Sequence, residues 1–258
     1  MRRQNLPIIT LLLISIVIPS MEYAQVPAYP QPPVLINRPT AGSLARGSYD
    51  TELRMMPDGG VLGGISIGIT DRFMLGVSYG GSQIIGEDSV RWNPQPGVRV
   101  KYRFIEESYK LPALSAGFNS QGYHSYIDSL NRYEIKSTGF FVVLSKNYQF
   151  LGNLGLHAGV NYSLERGDGN SFPNIYFGID KEINSELGLL VEYDAALNDN
   201  SGGDVKISKN RGYLNAGIRW TFANKFHVEF DMNNLLQNKL YGGNLPSREI
   251  KIAYVEFF

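Results

Sequence analysis

Glu249-Ile250-Lys251-Ile252-Ala253-Tyr254-Val255-Glu256-Phe257-Phe258 is the stretch of sequence that decides the fold. Apolar and polar side chains alternate along most of it, and a period of two residues is typical of a β-strand with one apolar face. One parity carries Ile250, Ile252, Tyr254 and Phe258. Lys251 has the opposite parity and is expected on the opposite face. Glu256 departs from the pattern, because it has the apolar parity.

The same alternation recurs upstream in segments of roughly ten residues separated by turn residues, the pattern of barrel strands. The sequence predicts an all-β fold, a transmembrane antiparallel up-and-down β-barrel of about 12 strands. An even number of strands returns both ends of the barrel to the same side. The predicted strands centre on residues 49–55, 65–69, 73–79, 98–104, 110–118, 140–144, 154–162, 175–179, 187–193, 214–220, 226–230 and 250–258.

The two faces of these strands differ in charge, which bears on whether lipid or water surrounds the barrel. The apolar parity carries almost no charge, whereas the other parity carries nearly all the acidic and basic residues and many glycines. A charge facing the middle of a bilayer would cost about 2–4 kcal/mol. A soluble barrel with the apolar face inward is the alternative that alternation alone leaves open. The strand length and the crowded polar face favour the membrane barrel.

The amino-terminal residues have the layout of a secretory signal peptide. Arg2 and Arg3 precede a short apolar run that small residues follow. The run is shorter than the roughly 20 residues of a helical span, which argues against a membrane anchor. We assign residues 1–24 to the signal peptide, with cleavage after Ser20 as the alternative to Ala24. The expected localisation is the outer membrane of a Gram-negative-type bacterium.

A proline-rich segment follows, and the barrel is assigned to residues 47–258. Five prolines lie between residues 25 and 40, and such a density favours an extended polyproline conformation. We interpret residues 25–46 as a periplasmic arm.

Composition excludes several functions. The chain has 24 basic and 24 acidic residues, so a general basic footprint for nucleic acid is absent. It has no cysteine, which excludes disulfides, thiolate metal sites and cysteine nucleophiles. We therefore expect no cofactor and no metal site.

The three histidines predict no catalytic set, and we expect no enzymatic activity. His157 and Ser163 lie on one strand, six residues apart, which corresponds to about 20 Å. His227 and Asp231 share a face without being neighbours, and His124 lies in a loop. A polar role in the barrel interior is the preferred interpretation of each histidine.

The polar parity predicts two charged sets inside the barrel. Arg99, Lys101 and Arg103 form a basic row, and Asp180, Glu192 and Asp194 form an acidic patch on the far wall. Asp50 and Glu52 are expected to face Lys251 where the barrel closes. Two interpretations stay open: ion pairs that fill and rigidify the interior, or a transverse field that selects charged solutes in a narrow pore.

Two segments of the chain resemble known families. The closing strand resembles the assembly signal of outer-membrane barrels, which implies the barrel-assembly machinery and outer-membrane lipid as partners. Pro39-Thr40-Ala41, a step through Gly47-Ser48-Tyr49 and the strand starting at Gly63-Gly64-Ile65 resemble the start of YjbH-like barrels. That family implies an association with exopolysaccharide export.

The expected function is support of transport or export of a solute or polysaccharide across the outer membrane, with the basic row contacting anionic groups. The alternative is a non-conducting barrel that acts as an assembly or interaction component of an envelope or exopolysaccharide complex.

Overall fold

The computed structural model describes residues 32–199, 206–240 and 246–258. The predicted signal peptide, residues 1–24, lies outside the described residues, as do residues 25–31 of the predicted arm. Within the described ranges, no helix is long and apolar enough to cross a membrane.

The described residues contain fifteen strands and one short 3-10 turn at Asp128–Leu130. The strands are β1 Ser48–Met56, β2 Gly60–Thr70, β3 Phe73–Ser82, β4 Arg91–Trp92, β5 Gly97–Ile105, β6 Ala113–Asn119, β7 Tyr123–Ile127, β8 Arg132–Ile135, β9 Gly139–Gln149, β10 Asn153–Tyr162, β11 Asn174–Glu182, β12 Leu187–Asp194, β13 Tyr213–Phe222, β14 Phe226–Asn233 and β15 Ser247–Phe257.

Twelve of these strands form a closed antiparallel ring, which confirms the predicted fold class. β1 pairs with β2 on one side and with β15 on the other, so the last strand closes the barrel on the first. Around the ring, β3 pairs with β5, and β6 pairs with β9. The short strand β4 pairs only with β3, and β7 and β8 form a separate hairpin.

The two ends of the barrel differ in the length of their connections. At one end, here called the turn end, the strands are joined by residues 71–72, 106–112, 150–152, 183–186 and 223–225. At the opposite loop end, the connections are longer, except the hairpin at residues 57–59. Short turns face the periplasm in bacterial outer-membrane barrels, so we assign the turn end to the periplasm.

The two faces of the wall follow the predicted parity. Val77 and Phe140 on the outer face are 54% and 56% exposed, whereas the inward Lys101 and Glu192 are each 1% exposed. The barrel therefore has an apolar exterior and a charged interior.

The strand register corrects one expectation about the closing strand. β15 sets Lys251 opposite Arg54, and Asp50 lies further along, opposite Val255. Lys251 forms its ion pairs with Glu229 and Asp231 on the other neighbouring strand, β14. Asp50 and Glu52 share the inward face with Lys251, as expected, but they lie opposite Val255 and Ala253, and the ion pairs of Lys251 within the described residues are with β14.

Ile250, Ile252, Tyr254 and Phe258 lie on β15 or directly after it, and Tyr254 and Phe258 are 37% and 83% exposed. Their role as an assembly signal stays a prediction. Glu256 lies 2.7 Å from Lys225 in the turn between β13 and β14.

The described part of the predicted periplasmic arm lies inside the barrel. Residues 35–44 are all buried, and Ile36 and Ala41 are completely inaccessible to solvent. We call residues 33–44 the plug. The plug makes few backbone hydrogen bonds within itself, so carbonyl groups such as those of Leu35, Ile36 and Gly42 are free to accept bonds from a charged wall. That complementarity is the physical reason why the segment is inside and not in the periplasm.

Candidate functional site

The plug is a tight hairpin whose two ends lie at the turn end of the barrel. Thr40 donates its amide to the Pro33 carbonyl at 3.1 Å, and Leu35 donates to the Arg38 carbonyl at 3.0 Å. The tip at residues 36–38 reaches toward the loop end, where the Asn37 side chain bonds that of Asn233 at 2.9 Å. The plug therefore extends along much of the barrel interior.

Two members of the predicted acidic patch hold the plug tip. One carboxylate oxygen of Glu192 accepts the backbone amides of three consecutive residues, Ile36, Asn37 and Arg38, at 3.2, 2.9 and 2.8 Å. Consecutive amides that converge on one anion form a nest. Asp194 pairs with the Arg38 guanidinium, whose Nε lies 2.7 Å away. Both carboxylates thus bind the plug.

The predicted basic row grips the plug from the opposite wall. The Lys101 ammonium donates to the carbonyl oxygens of Pro33 at 2.8 Å and Thr40 at 3.1 Å, and also to that of Gly42. Arg103 approaches the Ser43 carbonyl at 3.5 Å. Arg103 is the member of the row nearest the turn end, and Arg99 lines a cavity together with Asp50. The row therefore has one central anchor, Lys101, and two flanking members.

Three further cations of the wall also bind the plug, and these contacts were not predicted from the sequence. Arg219 donates to the Leu35 carbonyl at 3.1 Å, Lys251 donates to the Ile36 carbonyl at 3.1 Å, and Arg54 contacts the Asn37 side chain. Their inward parity was visible in the alternation. Their partner was not visible, because the proline-rich segment was expected outside the barrel.

His157 takes part in a relay that spans three adjacent strands and ends on the plug. The Ala41 amide donates to Ser145 Oγ at 2.8 Å. Ser145 Oγ lies 2.7 Å from His157 Nδ1, and His157 Nε2 lies 2.6 Å from Asp180. An amide can only donate and a carboxylate accepts, so Ser145 Oγ accepts from the Ala41 amide and His157 Nε2 donates to Asp180.

The third member of the predicted acidic patch, Asp180, therefore binds His157 and makes no hydrogen bond to the plug within the described residues. The serine beside His157 is Ser145 on the neighbouring strand, and not Ser163 on the same strand. Ser145 is 1% exposed, and its hydroxyl is engaged by the plug. The trio is thereby occupied in holding residue 41. The expectation that the chain is not an enzyme stays a prediction.

Apolar packing on the plug is limited to two small patches. Leu35 and Ile36 pack with Leu190, and Ala41 packs among Ala113, Phe141, Val143 and Tyr176. The named hydrogen bonds and ion pairs to the wall are more numerous than these contacts. The plug is therefore attached chiefly through polar groups.

A second element, which we call the lid, closes the loop end. It comprises residues 120–138 and includes the β7–β8 hairpin, whose Tyr123 and Ile135 pack on Met56 and Leu62 of the wall. Arg132 pairs with Asp168 and Asp199 from two other loops. Lys136 lies 2.8 Å from Asp168, and its burial lowers the pKa of the ammonium.

The lid also carries a shielded acidic group. Burial alone would raise the pKa of Glu134, but the charge of Lys239 and the hydrogen bond that its ammonium donates lower it to about 2. The lid is thus tied to its neighbours by ion pairs.

Beneath the plug, at the turn end, a cavity of about 330 Å³ remains. Its lining combines Pro33, Val34 and Leu44 of the plug with charged wall residues, among them Arg99 and Arg219. The interior is thus open at the periplasmic side and blocked above by the plug and the lid.

Comparisons with known proteins agree with this architecture. No protein-family profile and no curated protein sequence matches the chain. A solved structure described as the KdgM porin in complex with disordered oligogalacturonate is similar, with a TM-score of 0.50 and 11% identity. It covers 82% of this chain and 99% of that chain.

Two further porin-type structures show weaker likeness. The NanC porin has a TM-score of 0.46 and 12% identity, over 81% of this chain and 99% of that chain. The outer-membrane protein Omp33 of Acinetobacter baumannii has a TM-score of 0.40 and 10% identity, over 82% and 97%. The resemblance to YjbH-like barrels stays a prediction. At these identities the likeness concerns the fold, and the chain has the fold of a porin-like outer-membrane β-barrel.

Proposed function

We propose that the protein is an outer-membrane channel for solutes whose plug must move before solute passes. One observation carries this proposal: charged side chains of the wall bind the plug, and its apolar packing is confined to two small patches. Exposed apolar walls would favour collapse onto the plug, whereas charged walls are readily solvated. If the plug leaves, water or a polar solute can therefore replace it as the hydrogen-bond partner of the wall, and no buried charge is left unpaired.

The wall chemistry favours an anionic solute. Arg54, Lys101 and Arg219 donate to oxygen atoms of the plug, so a departing plug leaves cations that need oxygen acceptors. The porin of similar fold is described in complex with oligogalacturonate, which is an acidic oligosaccharide. An oligosaccharide supplies hydroxyl groups for Glu192 and Asp194 as well. We therefore favour a solute of this chemical type, with the basic row as its contact.

Gly178 offers a way to displace the plug from the wall. A Cβ atom at Gly178 would lie 2.3 Å from the Leu35 side chain, whereas a Cβ at Gly188 would lie no closer than 3.7 Å to any neighbour. Both glycines face the interior on adjacent strands. Gly178→Leu should push the plug away, and Gly188→Leu is the matched control.

Conductance of the full chain in planar bilayers tests the proposal. We expect a closed or rarely open wild type, frequent openings in Gly178→Leu, and wild-type behaviour in Gly188→Leu. In the Gly178→Leu background, Arg99→Glu and Arg103→Glu should shift the selectivity from anions toward cations. A Gly178→Leu barrel that is folded, as judged by heat-modifiable migration, and yet silent would reject the channel.

Such silence would favour the alternative, a non-conducting barrel that acts in an envelope or exopolysaccharide complex. The observation behind this alternative is the double occlusion, by the plug from the turn end and the lid from the loop end.

A further inference from the structure

A continuous path of polar contacts joins the plug tip to the loop that follows β14. The Asn37 side chain accepts from Arg54, and Arg54 pairs with one oxygen of Glu249. The other Glu249 oxygen lies 2.8 Å from His124 Nε2. His124 Nδ1 lies 2.7 Å from the Lys239 ammonium. Lid, wall, plug and loop thus meet around one histidine.

The geometry sets the protonation state of this histidine. The Lys239 ammonium has no lone pair and can only donate, so His124 Nδ1 must be unprotonated to accept. Nε2 then carries the hydrogen and donates to Glu249. The path in this structure is complete only while the imidazole is neutral.

The backbone of His124 is left-handed. Its φ angle is +65°, in a region where asparagine, aspartate and histidine are the residues enriched after glycine. The residue is 7% exposed and lies at the start of the β7–β8 hairpin.

Four charged groups from four elements surround the ring. They are Glu249 on β15, Arg54 on β1, Lys239 after β14, and Glu134 on β8, whose carboxylate lies 3.5 Å from Nδ1. A proton on Nδ1 would set an N–H against the ammonium of Lys239. Glu134 is then the acceptor within reach, and because it already lies 2.7 Å from Lys239, the ring would compete with this lysine for the carboxylate and weaken its attachment.

We propose that His124 is a proton-sensitive latch: at acidic pH on the loop side it releases Lys239, loosens the lid and weakens the Arg54 contact with the plug. The second effect follows because a charged ring draws Glu249 away from Arg54, which holds Asn37. The latch rests on the proposed function, since it would regulate the opening of the same channel.

Thiol labelling tests the latch without requiring conduction. The chain has no cysteine, so one introduced cysteine is unique. Ser137→Cys reports on the lid and Ser43→Cys on the plug, because these serines are 4% and 3% exposed. Ser43 Oγ makes no hydrogen bond within the described residues. Each labelling rate is divided by the rate for Ser185→Cys, an exposed position, at the same pH. This division removes the pH dependence of thiol reactivity itself.

From about pH 7.5 to about pH 5, the relative labelling of both reporters should rise about tenfold or more, as the loss of a charge-assisted hydrogen bond implies. In His124→Asn the rise should vanish. Asparagine tolerates the left-handed backbone and keeps an acceptor for Lys239, but it does not titrate. Lys239→Met should give high labelling at both pH values. His227→Asn, which changes a histidine at the turn end, should keep the full response.

Three results would overturn the latch: no rise in the wild type, a rise that survives His124→Asn, or a rise lost in His227→Asn. A rise at Ser137→Cys without one at Ser43→Cys would overturn the coupling to the plug. These failures are distinguishable from failure of the channel, because that is decided by the conductance of Gly178→Leu.

Discussion

The outer face and the interior of this barrel belong to the same strands, but their side chains meet different surroundings. The outer face repeats apolar side chains such as Val77 and Phe140, each of which meets a uniform solvent. The interior sets charges such as Lys101 and Glu192 against specific backbone groups of the plug. The outer face therefore needs only a residue class at each position, whereas the interior needs partners at defined distances.

A charge placed on the outer face should have the largest effect. Val77→Arg near the middle of β3 should lower the free energy of barrel unfolding by about 2–4 kcal/mol, because the side chain faces hydrocarbon. Urea titration of the refolded barrel in lipid vesicles measures it. Leu151→Arg is the matched control, since Leu151 lies in a turn and is 87% exposed. Equal effects at the two positions would show that the outer face is not a lipid contact.

Loss of one interior anchor should come next. Lys101→Met removes the ammonium that binds three plug carbonyls, and a charge-assisted hydrogen bond contributes about 1.5–3 kcal/mol. Labelling of Ser43→Cys should rise about tenfold or more, while barrel unfolding changes little. Lys110→Met alters an exposed lysine and should leave labelling unchanged. If Lys101→Met leaves Ser43→Cys protected, the plug is not held by the basic row.

The smallest effect concerns the lid at low pH. The pKa of Glu134 is about 2, below its ordinary value of 4.5, so its contribution to stability is complete above pH 4.5 and is lost as the pH falls toward 2. Its side chain is 24% exposed, and solvent screening leaves roughly 1 kcal/mol.

Labelling of Ser137→Cys in this window should rise a few-fold, and Glu134→Gln should remove the rise. A Glu134→Gln barrel that still shows a step below pH 4.5 would assign the step to another group.

The barrel was predictable because each strand repeats one simple pattern over about ten residues. The weak segment at residues 110–118 proved to be β6, Ala113–Asn119, and its flanking strands fixed its place in the ring. The small outer hairpin β7–β8 was not predicted. Its hydrophobic contacts are with Met56 and Leu62, which lie far away in sequence.

The candidate site was only half predictable. Lys101, Glu192 and Asp194 were identified from parity as inward charges, but Arg38 was missed because its segment shows no strand pattern. Ser145 was missed as the partner of His157, because it lies on the neighbouring strand at a register that only the pairing of β9 with β10 defines. Parity states which way a side chain points and does not state which group it meets.

Local alternation along the chain, together with the strand length and the crowded polar face, was enough to predict the wall: about twelve strands, an apolar exterior and a charged interior. These features follow from a period of two residues and from the cost of charge in lipid, both of which act residue by residue. The place of residues 33–44 inside the barrel, and the pairing of Lys251 with Glu229 and not with Asp50, emerged only in the folded molecule. Those contacts join residues far apart in sequence, and their energies depend on the stagger of the strands and the width of the closed ring.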